Sequence, residues 1–181
     1  MTEGTLEKYV QKIPVQREDV FYVKAGTVHA IGAGILLAEV QENSDLTYRL
    51  YDYHRVGRDG KECELHIEKA LDVAELHRSG EMKQPLRVRQ YRKGYASELL
   101  RRCKYVEVQR LLLNTERRHE LVAYRADKLS FRTLLCIQGC GTLVPENGNP
   151  LLIFKGDRIF FPADSAEVRL QGRAQFLEVK G

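Results

Sequence analysis

A repeat at an offset of 138 residues constrains this chain more than any other feature. "REDVFYVKAGTVHAI", residues 17–31, lies over "KGDRIFFPADSAEVR", residues 155–169, without a gap. Asp19 meets Asp157, Phe21 meets Ile159, Tyr22 meets Phe160 and Ala25 meets Ala163. Both copies fit one template: Gly, five residues, Pro, any residue, Gly, two residues, His. The first copy keeps Gly26 and His29 but has Glu18 and Lys24 where the template has Gly and Pro. The second keeps Gly156 and Pro162 but has Asp164 for the second glycine and Glu167 for the histidine. Each preserves what the other has lost, so both descend from the same motif. The template has a direct physical reading. A turn feeds a buried strand, and a Pro-x-Gly corner reverses the chain where a positive φ is required. The histidine then opens the next strand and is expected to point into a barrel.

The flanking sequence is rich in strand signals. "DVFYVKA" is β-branched and aromatic, "GILLAEVQ" is an apolar run bounded by glycine, and "LTYRLYDY" alternates with period two. Asp59-Gly60 marks a hairpin-like turn. Ile67, Ala70, Leu71 and Ala74 recur at helical spacing in "HIEKALDVAEL", predicting a short helix. After residue 104, "YVEVQRLLL", "LSFRTLLCIQGCGTLV", "LLIFKGDRIFFPA" and "EVRLQGRAQFLEVKG" predict short strands separated by Gly- and Pro-marked turns, as in a sandwich or barrel.

Charge and cysteine usage narrow the function classes. The formal net charge is +4, but it is concentrated in residues 81–104, where eight Lys/Arg stand beside two Glu. That segment reads as a basic connector. It carries no helix-turn-helix, RNP-like or zinc-knuckle pattern, so no nucleic-acid partner is expected. Cys63, Cys103, Cys136 and Cys140 form no Cys-x-x-Cys pair, which argues for reduced thiols and against a zinc finger. No apolar run is long enough to span a bilayer and the N-terminus has no apolar signal core. The expectation is a cytoplasmic protein without a membrane partner.

Read from the residues alone, His29 stays open between a structural histidine and a metal ligand. Glu39 and Arg49 stay open between a structural ion pair and active-site groups. His54, His66, His77 and His119 fall outside the template and read as structural or exposed.

The template resembles the second conserved motif of cupins, small antiparallel jelly-roll barrels, and "IQGCGTLV" resembles the end of their first motif. More specifically, "AGTVHAIG", "GILLAEVQENSDLTYRLYDY" and "ELHIEKALDV" resemble the C-terminal half of the short bacterial type I mannose-6-phosphate isomerases. The resemblance runs over essentially the whole chain. It implies a mainly β fold of two cupin-like antiparallel jelly-roll units, the first incomplete, with a short helix and connector between them. The implied divisions are 1–60 for the last strands of a catalytic cupin, 61–104 for the helix and basic connector, and 105–181 for a metal-free cupin-like lobe.

The resemblance also implies a chemistry: interconversion of mannose 6-phosphate and fructose 6-phosphate, with a proton moved between C1 and C2 through a cis-enediol and one zinc ion as cofactor. By position, His29 matches a metal ligand, Glu39 an active-site acid that transfers the proton, and Arg49 the arginine placed over the substrate. Imidazole is a natural zinc ligand. A carboxylate can shuttle a proton, and a guanidinium is always charged. The other metal ligands of that family precede the strand of His29, yet residues 1–28 contain no histidine. The chain is therefore expected to be a C-terminal portion, inactive alone, with the N-terminal half or a second copy as its partner. The alternative is a non-catalytic cupin-like module that binds a sugar phosphate or a protein.

Overall fold

The structure, a computed structural model, describes residues 6–44, 46–76, 84, 86–117 and 120–181. His77 and His119 lie outside the described residues. The chain divides into two compact units, Met1–Gln84 and Pro85–Gly181.

The second unit is an antiparallel sheet rolled on itself. Its strands are β1 (Arg89–Arg92), β2 (Tyr95–Arg102), β3 (Glu107–Asn114), β4 (Val122–Tyr124), β5 (Arg132–Pro145), β6 (Leu151–Phe154), β7 (Arg158–Phe161) and β8 (Val168–Lys180). They run in the order β1-β2-β3-β8-β5-β6, with β4 added to β8 and β7 added to β5. The two long strands organise the rest. β8 pairs with β5 from Arg132↔Lys180 to Pro145↔Val168, and with β3 from Glu107↔Lys180 to Asn114↔Arg173. The far edge of β5 carries β7 at one end and β6 at the other.

Period-two alternation decides what each strand buries. On β8, Leu170, Ala174, Phe176 and Glu178 are buried, while Arg169 and Arg173 are exposed. Leu134 and Cys136 of β5 and Ile153 of β6 join Phe176 and Leu170 in the core. Fully burying a side chain such as Phe176 stabilises by about 1.5–3 kcal/mol. Where β5 and β8 press together, Gly172 has φ +121° and a Cβ there would sit 2.6 Å from the Cα of Gly141, while a Cβ on Gly139 would clash with the Arg173 carbonyl oxygen. Glycine is required at that crossing, which lies next to the irregular register between Cys136 and Gln138.

Residues 89–102, read from composition as part of a connector, are instead the β1–β2 hairpin, which turns at Lys93-Gly94 with Gly94 at φ +80°. The basic residues obscured its strand pattern because they fall on exposed positions: Arg89, Arg92, Arg101 and Arg102 face solvent while Ala96, Glu98 and Leu100 are buried. Glu98 is matched by Arg110 across the β2–β3 register, and Arg110 Nε donates to Glu98 Oε2 at 2.8 Å. A charge pair so buried holds only because each partner satisfies the other.

The first unit contains a short 3₁₀ turn at Leu6–Lys8 and the predicted helix, α1 (Ile67–Val73). Ala70 is buried on α1, whereas Leu71, expected on the same face, is exposed. The Asp59-Gly60 turn forms as predicted. It closes the isolated bridge Val56↔Glu62, with Gly60 at φ +76°. The three tracts predicted as strands over 19–53 form no ladder among the described residues. Their alternation marks side chains that need a covering layer, but a ladder also requires a neighbouring backbone. Without one, Tyr22, Ile31, Ile35, Leu36, Leu37 and Val40 remain exposed. The fold class is nonetheless the expected one, a mainly antiparallel β protein with one short helix.

The loop before β5 is tied to the end of β8 by Asp127. Its Oδ1 accepts the Leu129 and Ser130 amides at 3.0 and 2.9 Å, and its Oδ2 meets Lys180 Nζ at 2.6 Å. The Lys180 ammonium first, and the Leu129 and Ser130 amides with it, hold this carboxyl down to about 2. An acid whose folded value lies below its unfolded value of about 4 contributes stability above pH 4 and loses it as pH falls towards 2. Asp127→Asn should therefore flatten that acid limb. The check is the melting midpoint of both proteins across the window of about pH 4 to 2, where wild type must fall more steeply.

Candidate functional site

The corner that carries His29 is built by local hydrogen bonds, and the second unit repeats them at the offset seen in the sequence. The Gln16 amide donates to Asp19 Oδ2 at 2.8 Å and the Asp19 amide donates to the Gln16 carbonyl at 3.2 Å. In the second copy, the Phe154 amide donates to Asp157 Oδ2 at 2.7 Å and the Asp157 amide donates to the Phe154 carbonyl at 3.0 Å. The reversing corner is conserved in the same way. Thr27 N–H donates to the Lys24 carbonyl at 3.1 Å, and Ser165 N–H donates to the Pro162 carbonyl at 3.2 Å.

Positive φ also falls on matched positions. Glu18 is at +74° and Gly156 at +101°, while Gly26 is at +82° and Asp164 at +56°. Each copy thus pays backbone strain where it has lost its glycine. The repeat is structural down to single hydrogen bonds.

Gly26 has a second reason to be glycine. A Cβ there would stand 2.7 Å from the Val73 carbonyl oxygen at the end of α1, and the Gly26 carbonyl accepts the Glu75 amide at 2.8 Å. His29 follows, exposed, with Nδ1 2.9 Å from the Thr27 carbonyl oxygen. A carbonyl only accepts, so in neutral His29 the proton sits on Nδ1 and the lone pair on Nε2. That tautomer suits a metal ligand or a proton acceptor through Nε2.

Arg49 is fixed through its backbone. Its N–H donates to His66 Nδ1 at 3.4 Å, and the His66 N–H donates to the Arg49 carbonyl at 2.8 Å. Its guanidinium lies 3.6 Å from the buried Asp52 carboxylate. Arg55 takes the closer contact with the same oxygen of Asp52. The hydrogen bond from Arg55 leads in holding the Asp52 carboxyl below its usual range, with Cys63 and the charge of Arg49 adding to it. Two guanidiniums therefore share one carboxylate, and Arg49 holds the looser end. Asp52 and Arg55 were missed in the sequence reading. Asp52 follows the strand alternation as an apparently ordinary member of one face, and only its burial singles it out.

Glu39 is exposed and makes no hydrogen bond or ion pair with a described residue, so the structural Glu39–Arg49 pair is not formed. Nor do His29, Glu39 and Arg49 bond to one another. Among the described residues, no group of three or more His, Cys, Asp or Glu side chains converges on a point that could hold a metal ion. His29 offers one nitrogen, and the described residues do not by themselves fit a zinc ion, which takes three or four protein ligands. No helix of the described residues is long and apolar enough to cross a membrane.

Fold and corner together define a cupin-like β protein with a duplicated motif. The comparisons with known proteins narrow this further. No family model matches the chain. Mannose-6-phosphate isomerase ManA of Bacillus subtilis is 34% identical over 173 residues, covering 95% of this chain and 52% of that protein. The probable mannose-6-phosphate isomerase GmuF of the same organism is 30% identical over 177 residues, covering 96% and 52%. The mannose-6-phosphate isomerase of Streptococcus mutans is 49% identical over 70 residues, covering 39% and 22%. Among solved structures, the mannose 6-phosphate isomerase from Bacillus subtilis matches with a TM-score of 0.63 at 28% identity, covering 76% of this chain and 41% of that one. The chain is a relative of the mannose-6-phosphate isomerases over nearly its whole length. It spans about half the length of the curated relatives it matches.

The doubled demand on Gly26 gives a direct test. Gly26→Ala should destabilise the first unit by about 1–3 kcal/mol through strain and the clash with Val73. The readout is faster hydrogen exchange at the Glu75 amide. Asp164→Gly, at the matching corner, should be neutral or stabilising by up to about 1 kcal/mol.

Proposed function

We propose that this chain carries half of a mannose-6-phosphate isomerase active site and becomes active when a complementing segment completes its first unit. The observation that carries this reading is the alignment with named isomerases over 95% of the chain. The repeat supports it from a second side. In the second unit, β5 holds β7 and β6 on one edge and β8 on the other. The tracts 20–23 and 13–16 correspond to β7 and β6 at the offset of 138, and no described residue of the first unit stands in for β5. A strand added there would pair these tracts and cover the exposed apolar residues of 22–40.

In the completed site, His29 Nε2 would be one ligand of a divalent metal such as zinc, with the other ligands coming from the complementing segment. Glu39, unpaired, takes the proton from one carbon of the sugar phosphate and returns it to the neighbouring one. Arg49 turns from its loose contact with Asp52 towards the oxygens of the substrate, where its charge favours the enediolate. Asp52 stays neutralised by Arg55, so releasing Arg49 leaves no buried carboxylate unpaired.

Complementation tests this. The chain should show no conversion of mannose 6-phosphate to fructose 6-phosphate by itself. It should gain activity when co-expressed with the part of Bacillus subtilis ManA that precedes the matched region. In that complex Arg49→Ala should lower kcat/KM by about 10²–10³-fold, and Arg55→Ala should cost less. Failure of a folded, co-purifying complex to isomerise the sugar phosphate overturns the proposal.

A further inference from the structure

The geometry points to a second binding site, within the second unit, for a neutral monosaccharide or similar polyol. A cavity of about 310 Å³ opens there. That is the small end of the range for ligand pockets, sized for one sugar ring rather than a nucleotide. It is also built on the duplicated corner. Glu167, which stands at the template position of His29, lies on its rim.

The lining chooses the ligand class. Its ionisable groups of fixed sign are Arg125, Arg132, Glu167 and Glu178, two positive and two negative. Glu178 is buried and already engaged, accepting the Tyr124 hydroxyl at 2.8 Å and an N–H of Arg132. A free anion would meet two carboxylates and a free cation two guanidiniums, so the site has no net preference for either. It does offer polar groups of both kinds. The Arg132 Nε–H is buried and has no hydrogen-bond partner among the described residues. Ser97 adds a hydroxyl, which both donates and accepts. Tyr95, partly buried, supplies apolar surface for the C–H face of a ring. Dense hydroxyls around an apolar face, without charge, are the chemistry of a sugar or polyol. This site lies wholly within the second unit and uses none of the residues proposed for isomerisation.

Titration of the full-length chain with mannose, glucose and mannitol, and separately with mannose 6-phosphate and inorganic phosphate, tests it by amide NMR. Neutral sugars should shift Ser97, Gln109 and Glu178 with millimolar affinity, and inorganic phosphate should leave them unmoved. Ser97→Phe should weaken that binding at least about tenfold by filling the cavity. Glu167→Arg, an exposed rim change that spares the core, should turn the preference to mannose 6-phosphate over mannose. No shift at these residues with any neutral sugar overturns the proposal, as does wild-type binding of phosphate in preference to sugar. Shifts confined to residues 26–55 would place the sugar elsewhere and also overturn it.

Discussion

The ladder between β5 and β8 is the interaction on which the second unit depends. It joins two strands that are separate in sequence, and every other strand except β1 and β2 pairs with one of the two. Such a ladder pays its loop-closure entropy once and then rewards each further residue with burial on the inner face. Phe176, Leu134 and Leu170 are buried because that ladder holds their strands in register. The tight crossing at Gly172 follows from the same requirement, since backbones this close admit no Cβ.

The first unit shows what the same motif does without such a strand. Its turns at residues 16–19 and 24–27 close with the hydrogen bonds of their counterparts at 154–157 and 162–165. Those bonds each span three residues and need nothing beyond the local chain. The ladders, by contrast, need a partner backbone, and the tracts between the turns form no strand and leave apolar side chains such as Tyr22 and Ile31 exposed. Local geometry thus survives where non-local pairing is unmet. This separates two contributions that are usually inseparable in a finished barrel.

The same division sets what was legible in the sequence. The corners could be read because Gly26, Gly156 and Pro162 act on their own φ, and Asp59-Gly60 acts within four residues. β5 and β8 could be read because their apolar alternation is long. The β1–β2 hairpin was hidden because Arg89, Arg92, Arg101 and Arg102 dominate its composition, although they occupy only its exposed positions. Asp52 was hidden because burial of a carboxylate depends on which cations the fold brings to it, here Arg55 and Arg49. His29, Glu39 and Arg49 came from a resemblance to a family, and the structure sets them on one unit without joining them by any bond.

The two copies of the corner have diverged in chemistry while keeping one backbone frame. At its end, the first copy presents an imidazole whose Nδ1 is committed to the Thr27 carbonyl, leaving Nε2 to act. The second presents Glu167 beside Arg125, Arg132 and Glu178, a set whose charges cancel. Under the proposed isomerase function, a histidine there would serve a site that binds a cation or moves a proton. A carboxylate among arginines would suit the proposed site for a neutral polyol. The strain at Asp164, where the template has glycine, fits that account. A corner that does not have to position a metal ligand could tolerate a residue that costs it energy. Gly26, pressed against the end of α1 and three residues from His29, has no such latitude.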